Sequence, residues 1–399
     1  MPLRLQLWSW NYEPEPTAMG PIAAVWAREM AGRGHDVEVV AAHPHYPPDV
    51  WPQRLRPYRE TRDDIRILRL PLWIGHGTSV QRIREELTYA VSAAAAVPFV
   101  RRPDVVVAVS PSFLALAPTM VNARIRRRPW VLWLQDILPD AAATTGLVSS
   151  GIAVDVARAL ERAAYRSAAR IVVISDTFSE NLRRKGVGPE RMARIYNPAT
   201  MDFRRTATRV ENPARILCMG NIGHSQGLAD LVRTFQATDV ARVARLVIVG
   251  HGELAGDVRD AITSKSVSML GLVDRERLEA ELGRTSLGLV SQRPDIEEFN
   301  VPSKLMNLMA RGIPVLANVS PRSETARIVS VSGGGWVADS GQPHSFAEVL
   351  SIALRSNELE ARGERASAFA QAHFHPTVFA QRFEEVLADV AVRPQSRTA

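Results

Sequence analysis

The run Met219-Gly220-Asn221-Ile222-Gly223-His224-Ser225-Gln226-Gly227-Leu228 is the clearest chemical signal in the chain. It follows a strand-like apolar stretch and opens a helix-like one. Glycines there let backbone N–H groups approach a diphosphate, and a helix start favours its negative charge. A plain tight connection would look similar. The third-glycine spacing and the acidic residue of a nicotinamide-dinucleotide fingerprint are not in place. A second signal is Glu297-Glu298-Phe299-Asn300-Val301-Pro302-Ser303-Lys304-Leu305-Met306-Asn307. Pro302 suits a helix start, where free N–H groups and the Lys304 ammonium can meet a phosphate. Lysine otherwise occurs only at Lys185 and Lys265, so a compact point charge stands out in a chain that writes its cations as arginine. Asn307 follows Ser303 by one turn and shares its face.

The N-terminal half carries fewer candidates. Asp136 follows the apolar run Trp130 to Leu134, which puts it at the carboxyl end of a sheet strand, where open α/β sheets place ligands; a catalytic role and a helix cap both fit. Gly20, just ahead of the helix Ile22 to Met30, either admits a ligand to backbone or is a loop glycine. His43 and His45 lie in a Pro-rich loop without a metal-ligand partner at helical or hairpin spacing, so they read as cleft or surface groups. The single cysteine, Cys218, sits inside a strand-like run and excludes both a disulfide framework and a zinc spacing.

These residues need a scaffold, and the scaffold is written along the whole chain. Short strand-like runs alternate with helix-length segments, the mark of parallel βα units. In one half the runs are Leu3 to Trp8, Val37 to Ala41, Ile65 to Leu70, Asp104 to Val109, Trp130 to Leu134 and Ile171 to Ser175. In the other they are Arg215 to Met219, Arg245 to Val249, Val267 to Leu270, Leu287 to Val290, Pro314 to Ala317 and Gly335 to Val337. A length of 399 residues favours two domains. The pattern breaks at Tyr196-Asn197-Pro198 and the polar stretch before Pro213, which places domains at 1–197 and 214–375 with a linker at 198–213. Phe379, Phe383, Val386 and Leu387 at helical spacing mark a last helix, 376–391, whose stripe can be buried by crossing back to the first domain. The tail 392–399 reads as disordered.

The net charge of +7 is carried almost wholly by arginine. Such a balance suits nucleic acid, an anionic membrane surface or phosphate-bearing substrates. No zinc finger, basic zipper or aromatic RNA-binding signature appears, which argues against nucleic acid. The helix candidate Val80 to Val100 has Arg82, Arg84, Glu85 and Glu86 at one end and Arg101 and Arg102 at the other. Its uncharged core, Leu87 to Val100, holds Pro98 and falls short of the roughly 20 residues of a membrane span. Two placements fit it, burial in the first domain or rest on a membrane surface. The first residues lack the pattern of a signal peptide; with the lone cysteine this points to the cytoplasm, with peripheral attachment at the cytoplasmic membrane face as an option.

Taken in order with Val249-Gly250-His251-Gly252-Glu253, the two glycine- and lysine-bearing runs resemble glycosyltransferase family four, the retaining GT-B enzymes. Ala310-Arg311-Gly312-Ile313-Pro314-Val315 follows in the family's order. Pro44-His45-Tyr46-Pro47, Gln135-Asp136-Ile137-Leu138-Pro139-Asp140 and Tyr196-Asn197-Pro198 resemble a branch that builds bacterial surface polysaccharide on lipid carriers, N-acetylfucosamine-type transferases included.

The resemblance implies an α/β GT-B fold of two facing Rossmann-like domains with a cleft between them, acceptor on the first and nucleotide sugar on the second. It implies donor binding by Gly220, Asn221, Gly223, Gln226, Gly250 and Gly252, by Leu272 and Val273 after a later strand, and by Ser303, Lys304 and Asn307. Asp136 and Glu298 become the catalytic candidates, and Gly20, His45 and Tyr46 the acceptor-binding ones. The expected co-substrate is a nucleotide diphosphate sugar, a UDP-N-acetyl sugar from the branch, with no cofactor and no metal. The expected acceptor is a saccharide on a polyprenyl diphosphate.

Two departures stand out. Many members carry two glutamates eight positions apart; here Asn307 holds the second position, and Glu297 and Glu298 lie one or two residues from the first. Many place Arg and Lys after the glycine-rich turn, where this chain has His224, Ser225 and Gln226. The diphosphate charge then falls to backbone N–H groups, Lys304 and one arginine. A nucleotide-sugar epimerase and a non-catalytic scaffold of the same fold are the competing readings.

Overall fold

The computed structural model describes residues 1–16, 19–45, 50–75, 79–110, 113–136, 151–204, 212–294, 301–342 and 344–392. The chain forms two compact units, one of Met1–Pro198 with the segment from Pro376 onward, the other of Ala199–His375.

The first unit runs β1 (Arg4–Ser9), α1 (Gly20–Gly32), β2 (Asp36–Ala42), β3 (Tyr58–Arg62), β4 (Ile65–Leu70), α2 (Ser79–Ala96), β5 (Val105–Val109), α3 (Phe113–Ile125), β6 (Trp130–Leu134), α4 (Gly151–Ser167), β7 (Arg170–Val173), α5 (Asp176–Arg184) and β8 (Met192–Arg194). The second runs β9 (Ala214–Met219), α6 (Leu228–Gln236), β10 (Ala244–Val249), α7 (Ala255–Asp260), β11 (Val267–Gly271), α8 (Arg275–Gly283), β12 (Leu287–Ser291), α9 (Ser303–Ala310), β13 (Val315–Val319), α10 (Glu324–Ser332), β14 (Gly335–Asp339), α11 (Ser345–Arg355) and α12 (Leu359–His373); α13 (Pro376–Val392) returns to the first.

Valine-rich runs such as Val105–Val109 are buried at every residue, as expected of a parallel strand covered on both faces. The first sheet has the order β3-β4-β2-β1-β5-β6-β7-β8, parallel except for the β3–β4 pair. The second is wholly parallel, in the order β11-β10-β9-β12-β13-β14. Each order reverses at a strand that starts its unit, between β1 and β5 and between β9 and β12. In doubly wound sheets the crevice beside such a switch point receives ligands.

Helix α13 packs on α1, β5 and β6. Its Phe383 is fully buried and meets Trp26 and Trp133 edge-on, at ring separations of 5.6 and 5.2 Å, a geometry worth about 0.5–1.5 kcal/mol beyond area burial. Helix α2 is two-faced. Tyr89, Ala93 and Ala96 are buried, while Leu87 and Val91 point to solvent. No helix among the described residues is long and apolar enough to cross a membrane. The stretch Ala199 to Phe203, which reads as linker in the sequence, is fastened to the second unit: the Ala199 N–H donates to the Phe374 carbonyl at 2.9 Å, and Asp202 pairs with Arg275 at 2.7 Å.

Candidate functional site

At the carboxyl ends of β9 and β10 two glycine turns are pressed together. Gly220 and Gly250 have φ of 108° and 148°, backbone that L side chains rarely adopt. A Cβ on Gly250 would overlap the Gly220 carbonyl, and one on Gly252 would overlap the backbone of Ile222. Backbone bonds lock the pair: Gly220 N–H to the Val249 carbonyl at 2.8 Å, Ile222 N–H to the His251 carbonyl at 3.0 Å. The Gln226 side chain caps the turn, its Oε1 accepting from the Gly223 N–H at 2.7 Å and its Nε2 donating to Ser225 Oγ at 2.8 Å.

Lys304 comes to this turn from α9. Its Cε and Nζ stand 3.5 and 3.9 Å from where a Gly220 Cβ would be. The ammonium also reaches electrostatically to Cys218 at the end of β9, whose thiol is pushed up by burial and pulled back by Lys304. Among the described residues no carboxylate pairs with Lys304. Helix α9 begins at Pro302 with no side-chain cap, whereas α5, α8 and α10 are capped by Ser175, Asp274 and Ser323. The Leu305 N–H turns back to the Pro302 carbonyl at 2.9 Å, and the Ser303 and Lys304 N–H groups have no acceptor among the described residues. A glycine turn, a helix start without a side-chain cap and an ammonium unpaired among the described residues together can hold a diphosphate.

The structure brings Gly220, Asn221, Gly223, Gln226, Gly250, Gly252 and Lys304 into one neighbourhood, with Ser303 exposed on the first turn of α9. Leu272 and Val273 follow β11 on the outer side of β10, Leu272 largely exposed. Asn307 is differently occupied. Its Oδ1 accepts from the N–H groups of Thr200 and Met201 at 2.9 and 3.3 Å, and its Nδ2 donates to Thr200 Oγ1 at 3.3 Å. Those bonds use the acceptor that a ribose hydroxyl would need. Glu297, Glu298 and Tyr46 lie outside the described residues. A cavity of about 520 Å³ is lined by Ile222, Gly223, His224, Arg233 and Asp257 and has neither Gly220 nor Lys304 in its wall. It adjoins the turn on the α6 and α7 side.

In the first unit, Asp136 is half-buried at the end of β6. Ser110 Oγ, at the end of β5, accepts from the Gln135 and Asp136 N–H groups at 2.9 and 3.4 Å. Gln135 and Asn197 exchange two amide hydrogen bonds of 3.0 and 2.7 Å, so the Gln-Asp and Tyr-Asn-Pro runs form one buried brace. Gly20 opens α1 against the preceding loop; a Cβ there would stand 2.8 Å from the Glu15 carbonyl. Sequence reasoning missed Ser110 and Glu15, both with long-range partners. Among the described residues no group of three or more His, Cys, Asp or Glu side chains is arranged to hold a metal ion.

Comparison with known proteins agrees with this architecture. A glycosyl transferase 4-like domain matches residues 17–198 and a glycosyl transferases group 1 domain matches residues 213–356. The chain is 25% identical over 378 residues, 88% of its length and 91% of the relative's, to the putative colanic acid biosynthesis glycosyl transferase WcaI of Escherichia coli K12. It is 25% identical over 265 residues, 63% of its length and 66% of the relative's, to the probable glycosyltransferase WbjE of Pseudomonas aeruginosa. Among solved structures, Anabaena HepE in complex with UDP and glucose superposes with a TM-score of 0.69 at 16% identity, covering 97% of this chain and 99% of that one. The two domain matches, in order and spanning both units, make the chain a family 4 glycosyltransferase of the GT-B fold.

Proposed function

We propose that the enzyme transfers an N-acetyl sugar from UDP, with retention at the anomeric carbon, to a saccharide carried on a polyprenyl diphosphate, in the assembly of a surface polysaccharide. The observation that carries the donor half is the meeting of Lys304, the uncapped start of α9 and the Gly220–Gly250 turns. Fixed positive groups aimed at a departing diphosphate stabilise the charge that develops in the transition state without a divalent ion. In a retaining reaction the leaving phosphate takes up the acceptor proton on the same face. Gly220, Asn221, Gly223, Gly250, Gly252, Ser303 and Lys304 hold the donor; Gln226 shapes the turn; Leu272 and Val273 border the base. Asp136 and Glu298 are the acids assigned to the reacting sugar, and Gly20, His45 and Tyr46 belong to the acceptor side. Asn307, with its oxygen committed to Thr200 and Met201, positions α9 and touches the donor at most through its second amide hydrogen.

The UDP choice is supported by HepE, whose structure holds UDP and glucose, and the polysaccharide context by the colanic acid assignment of WcaI. The exposed apolar face of α2 supports a place at the cytoplasmic membrane surface. The test is nucleotide release from a panel of UDP sugars, with and without lipid-linked saccharides, in the presence of chelator. Release that depends on a lipid-linked acceptor and survives chelation is expected. Activity lost to chelator and restored by Mg²⁺ or Mn²⁺ removes metal independence, and a soluble acceptor that serves as well removes the lipid carrier.

A further inference from the structure

The first unit holds a buried polar cluster that the donor chemistry does not use. Glu15, in the loop between β1 and α1, is 1% exposed. Its Oε1 accepts from the backbone N–H of His45 at 2.8 Å and lies 3.1 Å from His45 Nδ1. Its Oε2 accepts from Asn11 Nδ2 at 3.0 Å and from the Tyr12 N–H at 3.3 Å. His45 Nδ1 is also 2.9 Å from the His43 carbonyl oxygen. Both oxygens that face Nδ1 are acceptors, so in a neutral imidazole the ring hydrogen sits on Nδ1 and leaves Nε2 as the acceptor. The neighbour of Nε2 is Asn11 Nδ2 at 3.5 Å; one of its hydrogens goes to Glu15, and at that range the other satisfies Nε2 only weakly.

The imidazole plane is fixed as firmly as its tautomer. His45 stacks on Trp10 at 5.7 Å and 22°, and Trp10 stacks on Tyr89 of α2 at 6.1 Å and 6°. The Trp10 indole N–H, in a residue 8% exposed, has no acceptor among the described residues. A buried indole donor without an acceptor and an imidazole acceptor without a good donor, in one stack, suit a group that both donates and accepts. The cluster lies at the carboxyl ends of β1 and β2, beside the switch point of its sheet.

We infer that this cluster is a saccharide-hydroxyl subsite: His45 Nε2 accepts from the hydroxyl, and Glu15 is the positioning residue that holds the Nδ1–H tautomer. The inference rests on the assignment of the first unit to the acceptor. Nitrogen-15 histidine spectra of the full chain, with His45 assigned by its loss in His45→Gln, read the tautomer without any substrate. Methyl glycosides of glucose, galactose, fucose and N-acetylglucosamine then serve as probes. The expected result is an Nδ1–H tautomer in the wild type, a mixed one in Glu15→Leu, and a saturable shift of the His45 ring with at least one glycoside. His45→Phe keeps the stack and removes Nε2, and should weaken that glycoside about tenfold, the scale of one hydrogen bond. Glu15→Gln restores one acceptor and should recover most of the loss of Glu15→Leu, which simple unfolding would not. An Nε2–H tautomer in the wild type, or a His45 ring that no glycoside moves, overturns the inference. A glycoside shift at His45 in an enzyme that transfers to no lipid-linked saccharide leaves the subsite standing and removes the lipid-linked acceptor instead.

Discussion

Lys304 is the side chain on which the donor assignment turns. An ammonium beside a helix start and a glycine turn, with no carboxylate partner among the described residues, makes charge-assisted bonds to a diphosphate worth about 1.5–3 kcal/mol. Lys304→Ala is therefore expected to weaken UDP roughly ten- to a hundred-fold in titration calorimetry, while the thermal midpoint stays near that of the wild type because no ion pair among the described residues is lost. Unchanged UDP affinity would make Lys304 a solvated surface group. The glycines behave oppositely. Gly250→Ala puts a methyl against the Gly220 carbonyl at φ 148°, so the turn has to open at a strain cost of about 1–3 kcal/mol; thermal unfolding should fall by several degrees and donor binding with it. A variant as stable as the wild type would mean that the two turns are not pressed together. Asn307 shows what residue type and spacing leave open. Its position on α9 was legible from one-turn spacing, but its partners Thr200 and Met201 lie over a hundred residues away in sequence, and no local pattern announces a bond of that separation.

Elements were more legible than side-chain partners, for a physical reason. A parallel strand covered on both faces is largely apolar, so runs such as Trp130–Leu134 and Leu287–Ser291, buried at every residue, stand out from their surroundings. The two strands that the sequence hid have no buried residue. β3, Tyr-Arg-Glu-Thr-Arg, is a polar antiparallel edge strand with no fully buried residue, and β8 has three residues, none buried. Helix α13 was legible as a stripe, since Phe379, Phe383 and Leu387 recur at helical spacing. The surface it covers, α1 with β5 and β6, follows from topology and not from the stripe. That surface sets its energy. Phe383 is fully buried between Trp26 and Trp133, and Phe383→Ala should cost about 3–5 kcal/mol in denaturant unfolding of the first unit. A loss below about 1 kcal/mol would mean that α13 is peripheral to that core.

At the scale of the whole molecule, arginine surplus and exposed apolar surface meet on the same pair of helices. Helices α2 and α3 pack together; Leu87, Val91 and Phe99 on or just after the one, and Val121 and Ile125 on the other, are 48–72% exposed. The arginines around them divide by what they already hold. Arg101 pairs with Asp36, Arg126 donates to the Val97 and Val100 carbonyls, and Arg128 is near Asp104, so these serve the fold. Arg102, Arg124 and Arg127 are exposed without a carboxylate partner among the described residues. Each basic group near an anionic leaflet contributes about 1 kcal/mol, and shallow burial of the apolar side chains adds to it. Several such small terms would suffice for reversible attachment with no spanning helix. Co-sedimentation of the full chain with phosphatidylglycerol vesicles should therefore be strong at low salt and fall as salt screens the charges. Phosphatidylcholine vesicles should retain little. Reversing Arg102, Arg124 and Arg127 to glutamate should abolish the salt-sensitive part, whereas Val91→Asp with Phe99→Asp should weaken binding at every salt concentration because the apolar term is unscreened. A chain that ignores anionic vesicles even at low salt would leave the arginines as solubilising charge and make a soluble acceptor the better reading of the first unit.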